Sequence, residues 1–203
     1  MVGIIDYGVG NLFSLRSSLE AIGQTVTVSS EPEVLRKADH ILLPGVGAFE
    51  DAVKKLRGTG MDQMVYETVR EGKPLLGICL GMQMLFEKSY EYGEHQGLGL
   101  LKGQVIPMEG LLPQNLKVPH MGWNGLHITQ PQGKLFANTK EGDYVYFVHS
   151  YFADRCEDSL AAQTEYGKLL TAAVEKDNVF GCQFHPEKSG EVGLGILRAF
   201  CAV

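Results

Sequence analysis

No run of Lys and Arg occurs in the 203 residues, and acidic side chains outnumber basic ones by 24 to 18. A phosphate backbone is bound by clustered cations, so a nucleic-acid partner is not expected. No apolar stretch approaches the ~20 residues of a membrane-spanning helix, and Asp6 arrives too soon for the hydrophobic stretch of an export signal. A soluble, cytoplasmic protein is expected. Cysteines are few: Cys79, Cys156, Cys182 and Cys201, with no C-x-x-C pair among them. That spacing argues against a structural zinc site, and a chain of this kind without an export signal has no need of a disulfide framework. The histidines show no H-E-x-x-H or two-His-plus-carboxylate spacing, so no metal is expected. The segment Asp6-Tyr7-Gly8-Val9-Gly10-Asn11 opens like a dinucleotide-binding loop, but Phe13 stands where a third glycine belongs. No cofactor is expected. With no linker, repeat or low-complexity stretch, one domain over residues 1–203 is the natural reading.

What the chain does contain is an alternation of short apolar runs with helical patterns in its first half. Strands are expected at Val2–Ile5, Thr25–Val28, His40–Leu43 and Pro74–Ile78. Between and after them, helices are expected from the Asn11 N-cap to Gly23 and at Pro32–Ala38, Phe49–Leu56, Met61–Glu71 and Gly81–Lys88. This order implies a mostly parallel sheet with helices on both faces. The second half reads as strands separated by turns, at Gln104–Ile106, Gly125–Thr129, Tyr144–Val148, Leu160–Thr164, Leu169–Val174 and Val179–Phe184. An added antiparallel layer is therefore expected, closed by a helix at Gly190–Cys201.

Three of the cysteines read as small buried hydrophobes. Cys79 does not. Gly77-Ile78-Cys79-Leu80-Gly81 follows an apolar strand and precedes a helical pattern, which is the G-x-nucleophile-x-G elbow with Cys in place of Ser. A strained turn aims the side chain out of the sheet, and the helix N-terminus favours the thiolate. The Leu80 N–H is then placed to donate to an oxyanion. The general base is expected far off in sequence, at His185 in Phe184-His185-Pro186-Glu187. A neutral imidazole there takes the thiol proton and later returns it to the leaving group, and Glu187 orients the ring. By contrast, Met82, Met84, Leu85 and Phe86 read as core, and His40, His95 and His127 as ordinary core or surface histidines.

The segments Gly77–Gln83 and Phe184–Glu187 together resemble the class I glutamine amidotransferases, which carry a Cys-His-Glu triad. More narrowly, the chain resembles the glutaminase subunits of imidazole glycerol phosphate synthases, which serve histidine biosynthesis. That likeness rests on Asp6–Asn11, Leu43–Gly47, Pro119–Asn124, Tyr146–Tyr151 and His185–Ser189. It implies an amidotransferase-type α/β fold, a thioester of glutamine on Cys79, and release of ammonia and glutamate. It implies an oxyanion strand at Gly45, Val46 and Gly47, whose glycines make a peptide flip sterically plausible. It implies glutamine contacts from Gly45, Gln83, His149, Ser150 and Tyr151. It further implies a heterodimer with a TIM-barrel cyclase that receives the ammonia internally, met by Asn11, His120, Met121, Trp123, Asn124, Tyr146 and Lys188, with Trp123 in a Gly-Trp-Asn loop. The oxyanion strand is expected to wait on the partner, leaving the isolated chain poorly active. The alternatives are an amidotransferase serving another synthase, such as one making aminobenzoate, carbamoyl phosphate or guanylate, and an inactive subunit that only stabilises its partner.

Overall fold

The computed structural model describes residues 1–203. Its elements run β1 (Val2–Ile5), α1 (Leu12–Ala21), β2 (Val26–Ser29), α2 (Pro32–Leu35), β3 (His40–Gly45), α3 (Phe49–Gly58), α4 (Met61–Arg70), β4 (Leu75–Cys79) and α5 (Leu80–Met84). There follow β5 (Phe86–Ser89), β6 (His95–Gln96), β7 (Leu101–Pro107), β8 (His120–Gly125), β9 (His127–Ile128), β10 (Tyr144–His149) and β11 (Tyr151–Asp154). The chain ends with β12 (Leu160–Glu165), β13 (Leu169–Lys176), β14 (Val179–Cys182) and α6 (Gly190–Phe200).

The main sheet has the order β2-β1-β3-β4-β14-β13-β12-β9. Its first five strands are parallel, and β13, β12 and β9 extend it antiparallel. Continuous apolar runs in β1, β3 and β4 follow from burial on both faces. In β3, Ile41 and Leu43 enter the core beneath α3, α4 and α5, while Leu42 enters the core beneath α1 and α6. Two smaller sheets lie beside it: the antiparallel ribbon β10-β8, and the mixed sheet β11-β7-β5-β6.

The expected α/β architecture is present, with corrections in detail. The helix after the elbow stops at Met84 rather than Lys88, because the chain at 97–101 returns and occupies its terminal carbonyls. Leu98 N–H donates to Met84 O at 2.8 Å, and Leu101 N–H to Leu85 O at 3.0 Å. Gly97 permits this approach, since a Cβ there would lie 2.1 Å from Phe86 O. The Pro119–Asn124 segment is not a loop: Trp123 lies in β8, opposite Tyr146. The short strands β6 and β11 were not anticipated, and α2 ends earlier than its apolar pattern suggests. Cys156 and Cys182 are buried and Cys201 half-buried.

Candidate active site

Strand β4 runs straight into α5 through Cys79, which takes a left-handed φ of 55°. A non-glycine residue there is strained, and such strain aims a side chain away from the sheet. The turn closes only because of its glycines. A Cβ on Gly81 would lie 1.8 Å from Leu43 O, and one on Gly77 would lie 2.7 Å from Gly81 O. Leu80 begins the helix, so its N–H has no partner within it.

His185 follows β14, and its backbone is tied to the neighbouring ribbon and turn. Its N–H donates to Tyr146 O at 3.0 Å, its carbonyl accepts from Ser189 Oγ at 2.7 Å, and that same Oγ accepts from Tyr146 N–H at 3.0 Å. The ring Nδ1 meets Glu187 Oε1 at 2.8 Å, with both side chains almost wholly buried. Burial lowers the imidazole pKa, but hydrogen bonds to Cys79 and Glu187 and the negative charges of both outweigh it and push the pKa up to about 10. These contacts favour the protonated form of the ring.

Cys79 and His185 open into a cavity of about 490 Å³, a size suited to a small polar molecule. Val46, Gly47, Leu80, Gln83, His149, Ser150, Tyr151 and Lys188 also line it. Gly47 has a φ of +91°, a backbone state that needs glycine. Gly45 does not line the cavity. It lies beneath the elbow, opposite Cys79 in the sheet, where a Cβ would be 2.7 Å from Gly81 N. The β3 end is further held by Tyr7, whose buried hydroxyl donates to Pro44 O at 2.8 Å. Burial, then the charge at Cys79, drive the Tyr7 pKa upward, so it stays a neutral donor.

His149 reaches the cavity edge but is mostly engaged elsewhere. Its Nδ1 donates to Tyr151 O at 2.8 Å, and its Nε2 faces His120 Nδ1 at 3.1 Å. His120 Nε2 then faces Asn124 Oδ1 at 2.8 Å, and Asn124 Nδ2 donates to Glu165 O at 3.1 Å. His120 was expected on a partner surface, yet it is fully buried between the rings of Phe147 and Tyr166. The alternation of β8 explains this: His120 turns in while Met121 and Trp123 turn out and are more than half exposed. Tyr146 lies across from Trp123 on that outer face, and Lys188 Nζ sits 5.9 Å from the centre of the Tyr146 ring. Asn11 lies outside this ribbon and caps α1, accepting from Ser14 N–H.

Two residues at the site had no sequence signal. Glu91 lines the cavity, accepts from Phe49 N–H at 2.6 Å at the start of α3, and has its pKa raised chiefly by burial. Gln183 is fully buried between Gln83 and the Cys79 sulfur.

The family model for glutamine amidotransferase class-I matches residues 3–202. Curated relatives named imidazole glycerol phosphate synthase subunit HisH are 53% identical in Bacillus velezensis, over 98% of this chain and 95% of the relative, and 51% identical in Bacillus subtilis, with the same coverage. The HisH subunit of Wolinella succinogenes is 47% identical over 100% of both chains. Among solved structures, a crystal structure of a glutamine amidotransferase gives a TM-score of 0.75 at 21% identity, covering 99% of this chain and 97% of that one. The PurLQS structure from Thermotoga maritima gives 0.74 at 19% identity, covering 99% and 97%. The solved structures match the fold; the sequence matches carry the family, and by them the chain belongs to the class I glutamine amidotransferases, among the HisH subunits of imidazole glycerol phosphate synthase.

Proposed function

We propose that Cys79, His185 and Glu187 are the triad with which this chain hydrolyses glutamine, and that the ammonia passes to a TIM-barrel cyclase bound as a heterodimer. The observation that carries the reading is the Cys79 elbow opening, beside the His185–Glu187 pair, into one polar cavity. The thiolate attacks the side-chain amide carbon, and the carbonyl electron pair moves onto oxygen. The Leu80 N–H and an N–H from Val46 or Gly47 stabilise that oxyanion. His185 gives its proton to the departing nitrogen as the C–N bond breaks, leaving a thioester and free ammonia. Water then attacks the thioester while His185 takes one of its protons. The C–S bond breaks with its electron pair on sulfur, and glutamate leaves.

Gln83 and the backbone of Ser150 and Tyr151 would hold the amino-acid end. Glu91 would face its ammonium, a charge that offsets the burial raising the Glu91 pKa. The outer face of β8 and β10, with Met121, Trp123 and Tyr144 exposed, is an apolar patch of the kind that marks a protein interface. Tyr146, Lys188, Asn124 and Asn11 would extend that contact. An enclosed route matters chemically, because ammonia in water near neutral pH is mostly protonated and not a nucleophile. The family match over nearly the whole length supports one domain spanning 1–203. No helix is long and apolar enough to cross a membrane.

The test pairs the chain with the cyclase and its aminated ribonucleotide substrate. Glutamine should support formation of imidazole glycerol phosphate, and Cys79→Ala should abolish glutamine hydrolysis while leaving the complex intact. Hydrolysis that survives Cys79→Ala removes Cys79 as nucleophile. Turnover only with a different synthase removes the assigned partner.

A further inference from the structure

The orientation of two buried amides bears on the sulfur. Gln83 Nε2 lies 3.1 Å from Tyr151 O and 2.9 Å from Gln183 Oε1. A backbone carbonyl can only accept, so the Gln83 amide must turn its NH₂ toward Tyr151. The same NH₂ faces Gln183, whose carbonyl oxygen must therefore accept from it. That leaves the Gln183 NH₂ on the far side, 3.8 Å from Cys79 Sγ. An amide nitrogen has no lone pair to offer a thiol, so the only bond available runs from Gln183 N–H to sulfur. Neither side chain can rearrange through solvent, since Gln183 is fully buried and Gln83 nearly so.

We propose that Gln183, locked by Gln83 and the Tyr151 carbonyl, is an N–H donor that holds Cys79 as a thiolate. This rests on Cys79 being the nucleophile. His185 supplies one donor to the sulfur and Gln183 a second. Hydrogen bonds to an ionised acceptor are about twice as strong as those between neutral groups. The donor acts twice in the cycle. It favours the ionised sulfur before attack, and it donates to the sulfur again as the C–S electron pair returns there when the thioester breaks. The relay also ties the nucleophile to the substrate end of the cavity, because both hydrogens of the Gln83 NH₂ are committed and its Oε1 alone remains for glutamine.

The test reads the thiol and not turnover. Cys79 alkylation by iodoacetamide is followed by peptide mass spectrometry on the full chain across pH, for wild type, Gln183→Met and Gln183→Glu. Methionine keeps the length and removes the donor; glutamate places an acceptor beside the sulfur. At pH 7, Gln183→Met should alkylate about tenfold more slowly, the deficit narrowing as pH rises past the thiol's own pKa. Gln183→Glu should be slower still. Gln83→Met, which frees the Gln183 amide to turn, should shift the profile the same way by less, and it decides the matter if a Gln183 variant does not fold. Profiles that superimpose on wild type overturn the proposal, whatever happens to glutaminase activity. If instead hydrolysis survives Cys79→Ala, the glutaminase assignment fails, and the alkylation result stands apart from it.

Discussion

Replacing Gly81 with Ala adds one methyl group at the tightest of the glycine positions. The new Cβ would lie 1.8 Å from Leu43 O, against the 3.4 Å at which ordinary contact begins, so about 1.6 Å must be found somewhere. Strand β3 cannot give it cheaply. It is paired on one side with β1 and on the other with β4, where Leu43 lies opposite Gly77 and Gly45 opposite Cys79. The remaining freedom is in α5, and moving α5 carries Cys79 and Leu80 with it. Either way, the nucleophile and the Val46–Gly47 backbone are displaced relative to each other. A misplacement of about 1 Å can cost ~10²-fold in rate, and overpacking a tight interior costs roughly 1–3 kcal/mol.

The expected outcome is therefore a fall of at least ~10² in kcat for glutamine hydrolysis by the complex. A lower urea midpoint with an unchanged slope should accompany it. Gly58→Ala is the control: it lies in α3 with open space around it and an ordinary φ, and it should gain roughly 0.5–1 kcal/mol without changing kcat. If Gly81→Ala keeps kcat within a few-fold and its stability intact, the glycines of the elbow are not required by close approach, and the account of the turn is wrong.

Glu187→Gln removes the charge that helps keep His185 protonated and sets an NH₂ where Glu187 Oε2 has no partner. Steady-state kinetics should show kcat lower by ~10²–10⁴ with KM little changed; a loss under tenfold would reduce Glu187 to a spacer. His149 is buried, and burial followed by the nearby His120 and His185 lowers its pKa to about 3 from 6.5. The unfolded chain therefore binds a proton that the folded one refuses. Stability from this source is present above about pH 6.5 and is lost as pH falls toward 3, by about 2 kcal/mol at pH 5. Urea titrations between pH 7 and 4.5 should show that slope flattened in His149→Asn, and an unchanged slope would place the acid sensitivity elsewhere. Glutamine turnover should rise on the order of 10²–10³ when the liganded cyclase is added, as expected for completing an oxyanion site; equal rates with and without it would show the Val46–Gly47 strand already in its working state.

The parallel half of the fold was legible because its strands are buried on both faces and its helices alternate with them at regular spacing. Alternation of polar and apolar residues is not needed to find such strands; unbroken runs such as Ile41-Leu42-Leu43 suffice. The ribbon β8 was not legible, because Gly122 and Gly125 weaken a strand pattern and Tyr146, which pairs with it, lies more than twenty residues away. Without the strand there was no alternation, and without alternation His120 could not be told from its outward neighbours. The helix after Cys79 was over-extended for a related reason. Its apolar pattern continues through Phe86, but the carbonyls that would propagate the helix are taken by a segment arriving from residue 97 onward.

The same distinction divides the site. The proposed triad is written in two short motifs, because an elbow of this kind needs two glycines around its nucleophile and the proposed base has its orienter two residues on. Gln183 carries no such local requirement. It stands two residues before His185, so the motif that reveals the base runs past it in silence. Its role depends on a partner one hundred positions away and on the direction of a single backbone carbonyl at Tyr151. Glu91 is similar: nothing near it in sequence announces a cavity, yet it joins the start of α3 to the cavity wall. Residues whose chemistry is set by a turn can be read from spacing. Residues whose chemistry is set by which hydrogen-bonding group is left over, after a fixed acceptor has chosen first, require the packed structure. In this chain that second kind of residue sits directly against the sulfur of the proposed nucleophile.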